Sequence, residues 1–337
     1  MLALALAAGG ASIAQAQTHL WVNPAGGCWC TPTNWGPPSV PNQTSVVDIS
    51  VPGQYTVGFS TGVAYCSRFS LLNPDATLAL RGGETLQLHG TTHRVDGVLR
   101  IGDAVFGSPA AVEAFVPPFV LFEGTGRVVL NAHPQLVLPF AVIRASGRPV
   151  TTAPGIRLEG RGAVQADLTL QGTLAPGVGP GAIGEIQVDR LILGPSSVLE
   201  FDIAGPAFAQ ADRLQVSFPS IRAGTLRVRL APGFVPSIGQ PFTLITFLPN
   251  GAFDALDAPG FELLPGSAVA VRYVGFPCDP DLNQDGNADQ DDVAYLVSVV
   301  GGGENPTGID PDFNRDGNAD QDDIAALIGV IAGGPCP

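Results

Sequence analysis

Residues 77–90 read "TLALRGGETLQLHG". Leu78 and Leu80 alternate with small neighbours, two glycines interrupt, and Leu86 and Leu88 resume the alternation. A period of two puts successive apolar side chains on one face of a strand, and a Gly pair between two such runs marks a turn. Moving outward, the same pulse recurs. "GTLRVRLAPG", residues 224–233, sends Leu226, Val228 and Leu230 one way and Arg227 and Arg229 the other. "GRVVL", "DRLILG" and "SVLEFDIAG" repeat it at irregular spacing. With 43 Gly and 31 Pro in 337 residues, a turn-former arrives every four or five positions. Such density leaves room for many short strands and none for long helices. Stacked rungs of a solenoid give this pattern; a β-sandwich gives a similar one, and periodicity alone does not separate them.

The net charge of −14 is unevenly placed. Residues 278–336 hold thirteen acids and one arginine, a net of −12, which leaves −2 for the rest. This balance argues against a nucleic-acid partner and for a local cation site. The chain has no lysine, which excludes any mechanism needing a Lys base or Schiff base.

The first residues, "MLALALAAGGASIAQAQTHLW", hold an apolar run followed by Ala14-Gln15-Ala16, a small-x-small cleavage pattern. Residues 1–16 are expected to be a secretory signal peptide and the protein to be secreted or associated with a cell surface. The apolar run is well short of the ~20 residues of a membrane helix, and no transmembrane segment is expected. Five cysteines fit an oxidising compartment and leave one over. Cys278 and Cys336 bracket the acidic segment and are expected to pair. Either Cys28 or Cys30 is expected to bond Cys66, because a bridge across the single Trp29 would be strained.

The acidic segment contains "DLNQDGNADQDD" from Asp281 and "DFNRDGNADQDD" from Asp312, a 31-residue repeat. In register, oxygen-bearing side chains fall at positions 1, 3, 5, 9 and 12. These are Asp281, Asn283, Asp285, Asp289 and Asp292, then Asp312, Asn314, Asp316, Asp320 and Asp323. Position 6 is Gly286 or Gly317, where the loop turns, and position 7, Asn287 or Asn318, offers its backbone carbonyl. A hard cation takes six to eight oxygens, and alternate residues of a tight loop can all point inward. Two structural Ca²⁺ ions are therefore expected. "VAYLVSVV" and "IAALIGVI" come next, as helices whose apolar faces pack together. Pro280 and Pro311 stand just before the loops, so no regular helix enters them.

The duplicated loop–helix unit, with Asp at position 12, resembles the F-hand of dockerins; with its "CDPD" and "GGPCP" flanks it is similar to the module of GC-type dockerin-anchored secreted proteins. The resemblance implies a calcium-dependent module over residues 278–337 that binds a cohesin-like partner. It implies that positions 10 and 11, Gln290 and Asp291 with Gln321 and Asp322, read that partner. The identical pairs imply a pseudo-two-fold surface that docks in either of two orientations. Position 8 is Ala288 or Ala319, where dockerins carry a β-branched residue, which implies a modest calcium affinity.

"LWVNPAGGCWCTPTNWGPPSVPNQTSVVDIS" and "GTLAPGVGPGAIG" with "ADRLQV" are similar to segments of autotransporter-passenger-like bacterial β-helix proteins. The expected class is thus mainly β: a right-handed parallel β-helix or β-solenoid over residues 17–277, or one ending in a β-sandwich-like part. A small α-helical calcium-binding dockerin module completes it. Trp21, Trp29 and Trp35, the three tryptophans, are expected to cap the open end of the stack; stacking on a sugar is the alternative.

Gly179-Pro-Gly181-Ala-Ile-Gly184 spells a dinucleotide fingerprint, but the next residues, "EIQVDRLILG", read as strand, and the motif needs a helix there. The front acids Asp96, Asp103, Glu113, Glu123 and Glu159 are scattered, and His89 and His93 have no visible third ligand, so they are read as surface histidines. The expected role is a non-catalytic adhesive, scaffolding or surface protein, with a polysaccharide or a cell surface among its candidate partners. The alternative is a polysaccharide lyase or hydrolase whose site is assembled from residues distant in sequence.

Overall fold

A computed structural model describes residues 16–60, 62–103, 110–114, 117–132, 141–145, 147–218, 220–248, 250–275, 278–334 and 336. The expected leader lies outside the described residues except for Ala16. The chain is mainly β, 43% strand against 9% helix. Among the described residues no helix is long and apolar enough to cross a membrane.

The strands form three ladders, and within each the pairing is parallel. The first runs from Thr18–Trp21 to Val46–Ile49, Arg68–Leu71, Thr92–Val95, Val120–Glu123 and Val150–Thr152, then onward to Asn250–Gly251. The second passes through Thr56–Gly58, Thr77–Leu80, Val98–Ile101, Arg127–Asn131, Arg157–Leu170 and Thr173–Pro176 to Ala255–Asp257. The third starts at Gly62–Cys66 and Glu84–Leu88 and reaches Arg213–Val216. The chain visits the ladders in turn and returns one rung further on, consistent with the β-solenoid expected from the sequence. A sandwich of hairpins would give antiparallel neighbours instead. The last rungs change character. Pro241–Ile245 pairs antiparallel with Val269–Tyr273, which pairs antiparallel with Phe261–Leu264.

Each coil has its own length, which is why the pulses look irregular. The offset between paired residues is 22 from Val46 to Arg68, 30 from Val120 to Val150 and 18 from Val150 to Leu168. Register within a ladder is strict, because a one-residue slip would turn every inward side chain outward. Val57, Leu78, Leu99, Val128, Leu158, Leu174, Leu199 and Leu226 accordingly form one continuous inner column, each at most 1% exposed. Shortening one such leucine to alanine typically costs about 2–5 kcal/mol.

An inner column of the first ladder holds Phe69, His93 and Phe122 at one level. His93 is therefore a core residue, which corrects its reading as a surface histidine. Its ring lies 5.1 Å from Phe69 and 6.1 Å from Phe122. Nδ1 accepts from the Phe69 N–H at 3.3 Å and Nε2 lies 3.1 Å from the Gly90 carbonyl. Burial lowers its pKa to about 4, so the ring is neutral and structural.

The three tryptophans close the first coil. Trp21 and Trp29 each meet Trp35 edge-on at 4.9 Å, and all are at most 2% exposed. Trp21 Nε1 donates to the Asn23 carbonyl and Trp35 Nε1 to that of Trp29. Sugar stacking needs an open ring face, and these rings present none.

The expected bond from Cys28 or Cys30 to Cys66 does not form. Cys28 and Cys30 are bonded to each other with Cα atoms 5.1 Å apart. Cys66 is free because its strand turns it into the core, level with Leu88, whereas Cys30 stays exposed on the first turn. Cys278 and Cys336 are bonded as expected, their Cα atoms 5.9 Å apart.

Candidate metal centres

The acidic repeat forms two helices, α1 (Gln290–Val300) and α2 (Gln321–Ile331), each started by the loop before it. Among the described residues no helix leads into either loop. Leu282, Leu296, Phe313 and Leu327 make a hydrophobic cluster separate from the strand core. They are two pairs of equivalents 31 residues apart, so duplication in sequence has become pseudo-symmetry in packing. One contact breaks it. Tyr295, whose equivalent is Ala326, lies within hydrogen-bond distance of Asn305 Oδ1 (2.9 Å) and Thr307 Oγ1 (2.7 Å), tying the connector to the first copy.

The loops are shaped by their own side chains. In the first, Asp285 N donates to Asn283 Oδ1 at 2.9 Å, Gly286 N to Asp281 Oδ2 at 2.9 Å and Asn287 N to Asp285 Oδ1 at 2.9 Å. In the second, Asp316 N donates to Asn314, Gly317 N to Asp312 and Asn318 N to Asp316 at 2.8–2.9 Å. The Asn287 N–H also holds the Asp285 carboxyl below its ordinary pKa. Position 4, Gln284 or Arg315, sits at φ 59°, and position 6, Gly286 or Gly317, at 96° or 99°. Two left-handed residues so close together coil the backbone tightly around the carboxylates.

Positions 9 and 12 do double service. Asp289 and Asp320 are the N-caps, accepting from Asp291 N and Asp322 N. Asp292 and Asp323 are fully buried. Asp292 accepts from Asn283 N at 3.0 Å and Asp289 N at 2.8 Å; Asp323 accepts from Asn314 N at 2.8 Å and Asp320 N at 2.7 Å. Each thus joins the start of its loop to the start of its helix in a capping box, and its charge suits the helix N-terminus.

Among the described residues no three His, Cys, Asp or Glu side chains are already gathered as a metal-binding group. The oxygens engage backbone N–H groups instead, and carboxylate oxygens retain lone pairs beside such bonds. Two observations make the loops chemically fit for a hard cation. The donors are all oxygens, and Asp312 Oδ1 is buried without a hydrogen-bond partner. An orphaned buried carboxylate oxygen is costly unless something positive meets it. Asp281, Asn283, Asp285, Asp289 and Asp292, with the Asn287 carbonyl, would hold one ion. Asp312, Asn314, Asp316, Asp320 and Asp323, with the Asn318 carbonyl, would hold the other.

Gln290, Asp291, Gln321 and Asp322 are all exposed on the first turns of the helices. The helical period lines Gln290 up with Ala294 and Val297, and Gln321 with Ala325 and Ile328. Val297 and Ile328 are 48% and 49% exposed, equivalents that the apolar-run reading assigned to the packed face. Their spacing of seven from Gln290 and Gln321 was the signal that places them outside.

Among the described residues the strand region brings no comparable set together. Glu159 is 1% exposed and receives Arg157 Nε at 2.7 Å and the Arg127 guanidinium. Glu200 binds Arg157 and Arg227; burial raises its pKa, and the two arginines more than offset that. Asp257 is held down to about 2 by Arg229 and Arg227. Asp96 pairs with Arg94, and Glu113 with Arg144. A glycosidase acid needs a raised pKa and an open face. Asp212, raised to about 8 by burial, is only 1% exposed. Its oxygens accept from Gly184 N at 2.7 Å and Asp202 N at 2.8 Å, and Asp202 Oδ2 accepts from Gly181 N at 2.6 Å. The fingerprint-like glycines thus hold the chain's own carboxyl groups, and strand Glu185–Leu193 comes directly after them. No protein-family model matches the chain, and no curated protein matches it in sequence.

Proposed function

We propose that this is a secreted, non-catalytic protein in which a right-handed parallel β-solenoid is carried by a C-terminal calcium-dependent dockerin that binds a cohesin-like partner. The observation that carries the reading is the duplication of one bonding pattern. At a 31-residue interval, two loops repeat the same position-12 carboxylate-to-backbone bonds and start equal helices from positions 9 and 12. A solvated acidic tail has no reason to repeat a buried Asp at position 12. Ca²⁺ at each loop would supply the positive charge that gathers these oxygens.

The exposed stripes Gln290–Ala294–Val297 and Gln321–Ala325–Ile328, with Asp291 and Asp322 beside them, are the proposed docking faces. A small apolar centre rimmed by polar residues is the usual make-up of such a patch. For the strand region, the proposed role is adhesive or scaffolding, because Glu159, Glu200 and Asp257 are taken up by arginines and Asp212 is sealed inside. The leader-like first residues and the cysteine pairing support an extracellular location.

The test is a calcium titration of the whole protein by calorimetry, then capture on a cohesin panel with and without chelator. Two binding events and calcium-dependent capture are expected. No calcium binding, or capture indifferent to chelator, would sink the reading.

A further inference from the structure

The two acidic loops share most of their bonding but not their surroundings. A cavity of about 540 Å³ has the stretch Val228–Val235, with Asp257 and Pro259, on one side and the second loop from Asp310 to Gly317 on the other. No residue of the first loop lines it. Two further differences fall on the same loop. Asp312 Oδ1 is buried and unpartnered, whereas its equivalent, Asp281 Oδ1, accepts from Asp285 N at 3.1 Å. Position 4 is Gln284 in the first loop and Arg315 in the second, and Arg315 is the sole basic residue of 278–336. Both hold the same φ of 59°, so the loop's own fold does not require the change. What differs is the surroundings of position 4: Arg315 lines the cavity across from Asp257, the carboxylate held by Arg227 and Arg229, whereas Gln284 lines none of it.

We propose that the second loop is a joint between the acidic repeat and the last coils of the strand region, with Arg315 as its latch. The partner is in cis: the carboxylate-bearing edge at Asp257 and the turn Ala231–Val235. A repeat on a slack tether would tumble, which is the default for small interfaces between parts of one chain. Here the joint fixes its orientation and leaves the helix stripes at Gln290 and Gln321 outside, so docking and latching do not compete. The joint requires neither calcium nor a cohesin, and its failure is separable from theirs.

The experiment uses the full chain carrying spin labels at Phe208→Cys and Ser298→Cys, both exposed positions, with the interspin distance distribution measured with and without Ca²⁺. A single narrow distribution is expected. Arg315→Gln, which installs the first loop's residue, should broaden it about twofold or more, as should Val235→Glu, which sets a carboxylate against the acidic loop. The control Gln284→Arg should leave it unchanged. A broad distribution in the labelled chain with Arg315 intact, or equal widths for Arg315→Gln and Gln284→Arg, overturns the proposal.

Discussion

Arg157 Nη2 donates to Glu200 Oε1 at 2.6 Å although the two residues stand two coils apart on the outer face of the second ladder. In the coil between them Ala175, level with Glu159, is small enough to be passed over and itself only 4% exposed. Arg157 also serves Glu159 in its own strand. The result is a continuous alternation, Arg127–Glu159–Arg157–Glu200–Arg227–Asp257–Arg229, that runs along the stack. It ties non-adjacent coils, which nearest-neighbour stacking alone does not do.

Removing the buried member of this chain should matter most. Glu159→Ala leaves the partly exposed Arg127 and Arg157 in adjacent strands with no anion between them, and is expected to cost about 2 kcal/mol. Removing the exposed pair Arg190–Asp167 should cost under about 1 kcal/mol. Urea denaturation of the two variants decides it; equal effects would contradict the buried role of Glu159.

Two sealed groups set opposite slopes against pH. His93 has its folded pKa lowered to about 4, below the unfolded value near 6.5. Its contribution is therefore present above pH 6.5 and lost as pH falls through about 4. Asp212 has its folded pKa raised to about 8, so its contribution is present at acid pH and lost as pH rises through about 8. The slopes oppose each other up to pH 6.5, and that of Asp212 acts unopposed above it. In chelator, Asp212→Asn should flatten the decline in stability between pH 6.5 and 8, whereas His93→Gln should not. A decline unaltered by Asp212→Asn would refute the assignment.

Cys66 should be silent in the native protein. It is fully buried, and burial pushes its thiol pKa far up, so little thiolate exists to react. A thiol reagent is expected to label nothing before denaturation and one cysteine after it, and peptide mapping should place that label on Cys66. A label on Cys28 or Cys30 would restore the pairing first expected from the sequence.

Position 12 of each loop combines a cap with a proposed metal ligand. Asp323→Ala removes both oxygens that hold Asn314 N and Asp320 N, and should cost about 2 kcal/mol through the cap alone. It should also abolish the calcium response of one loop and spare the other, with Asp292→Ala as the mirror case. Calcium calorimetry with far-ultraviolet dichroism reads both. If either variant keeps two binding events, the carboxylate is a cap only.

The loops were legible residue by residue because everything that shapes them lies within twelve positions. Asp281 to Asp292 contains its own turn glycine, its own acceptors and its own helix start. The strand region was legible only as alternation. Leu78 and Leu226 read correctly as inward, but nothing local to His93 says that it is stacked between Phe69 and Phe122. Those neighbours are supplied by coils 24 and 29 residues away, lengths the sequence does not announce. Cys66 was misassigned for the same reason: its partner was sought by elimination, while its column put it inside. Position 4 went unread in the sequence, because an exchange of Gln284 for Arg315 has no local consequence and only the cavity gives it a meaning.

The unequal coils have a practical reading. A segment of 18 residues and one of 30 both return the chain to the same ladder in register. Path length between ladders is therefore a free variable, and the excursions are places where foreign peptides can be grafted with modest entropic cost. A display scaffold built on this chain would keep the column residues and vary the detours.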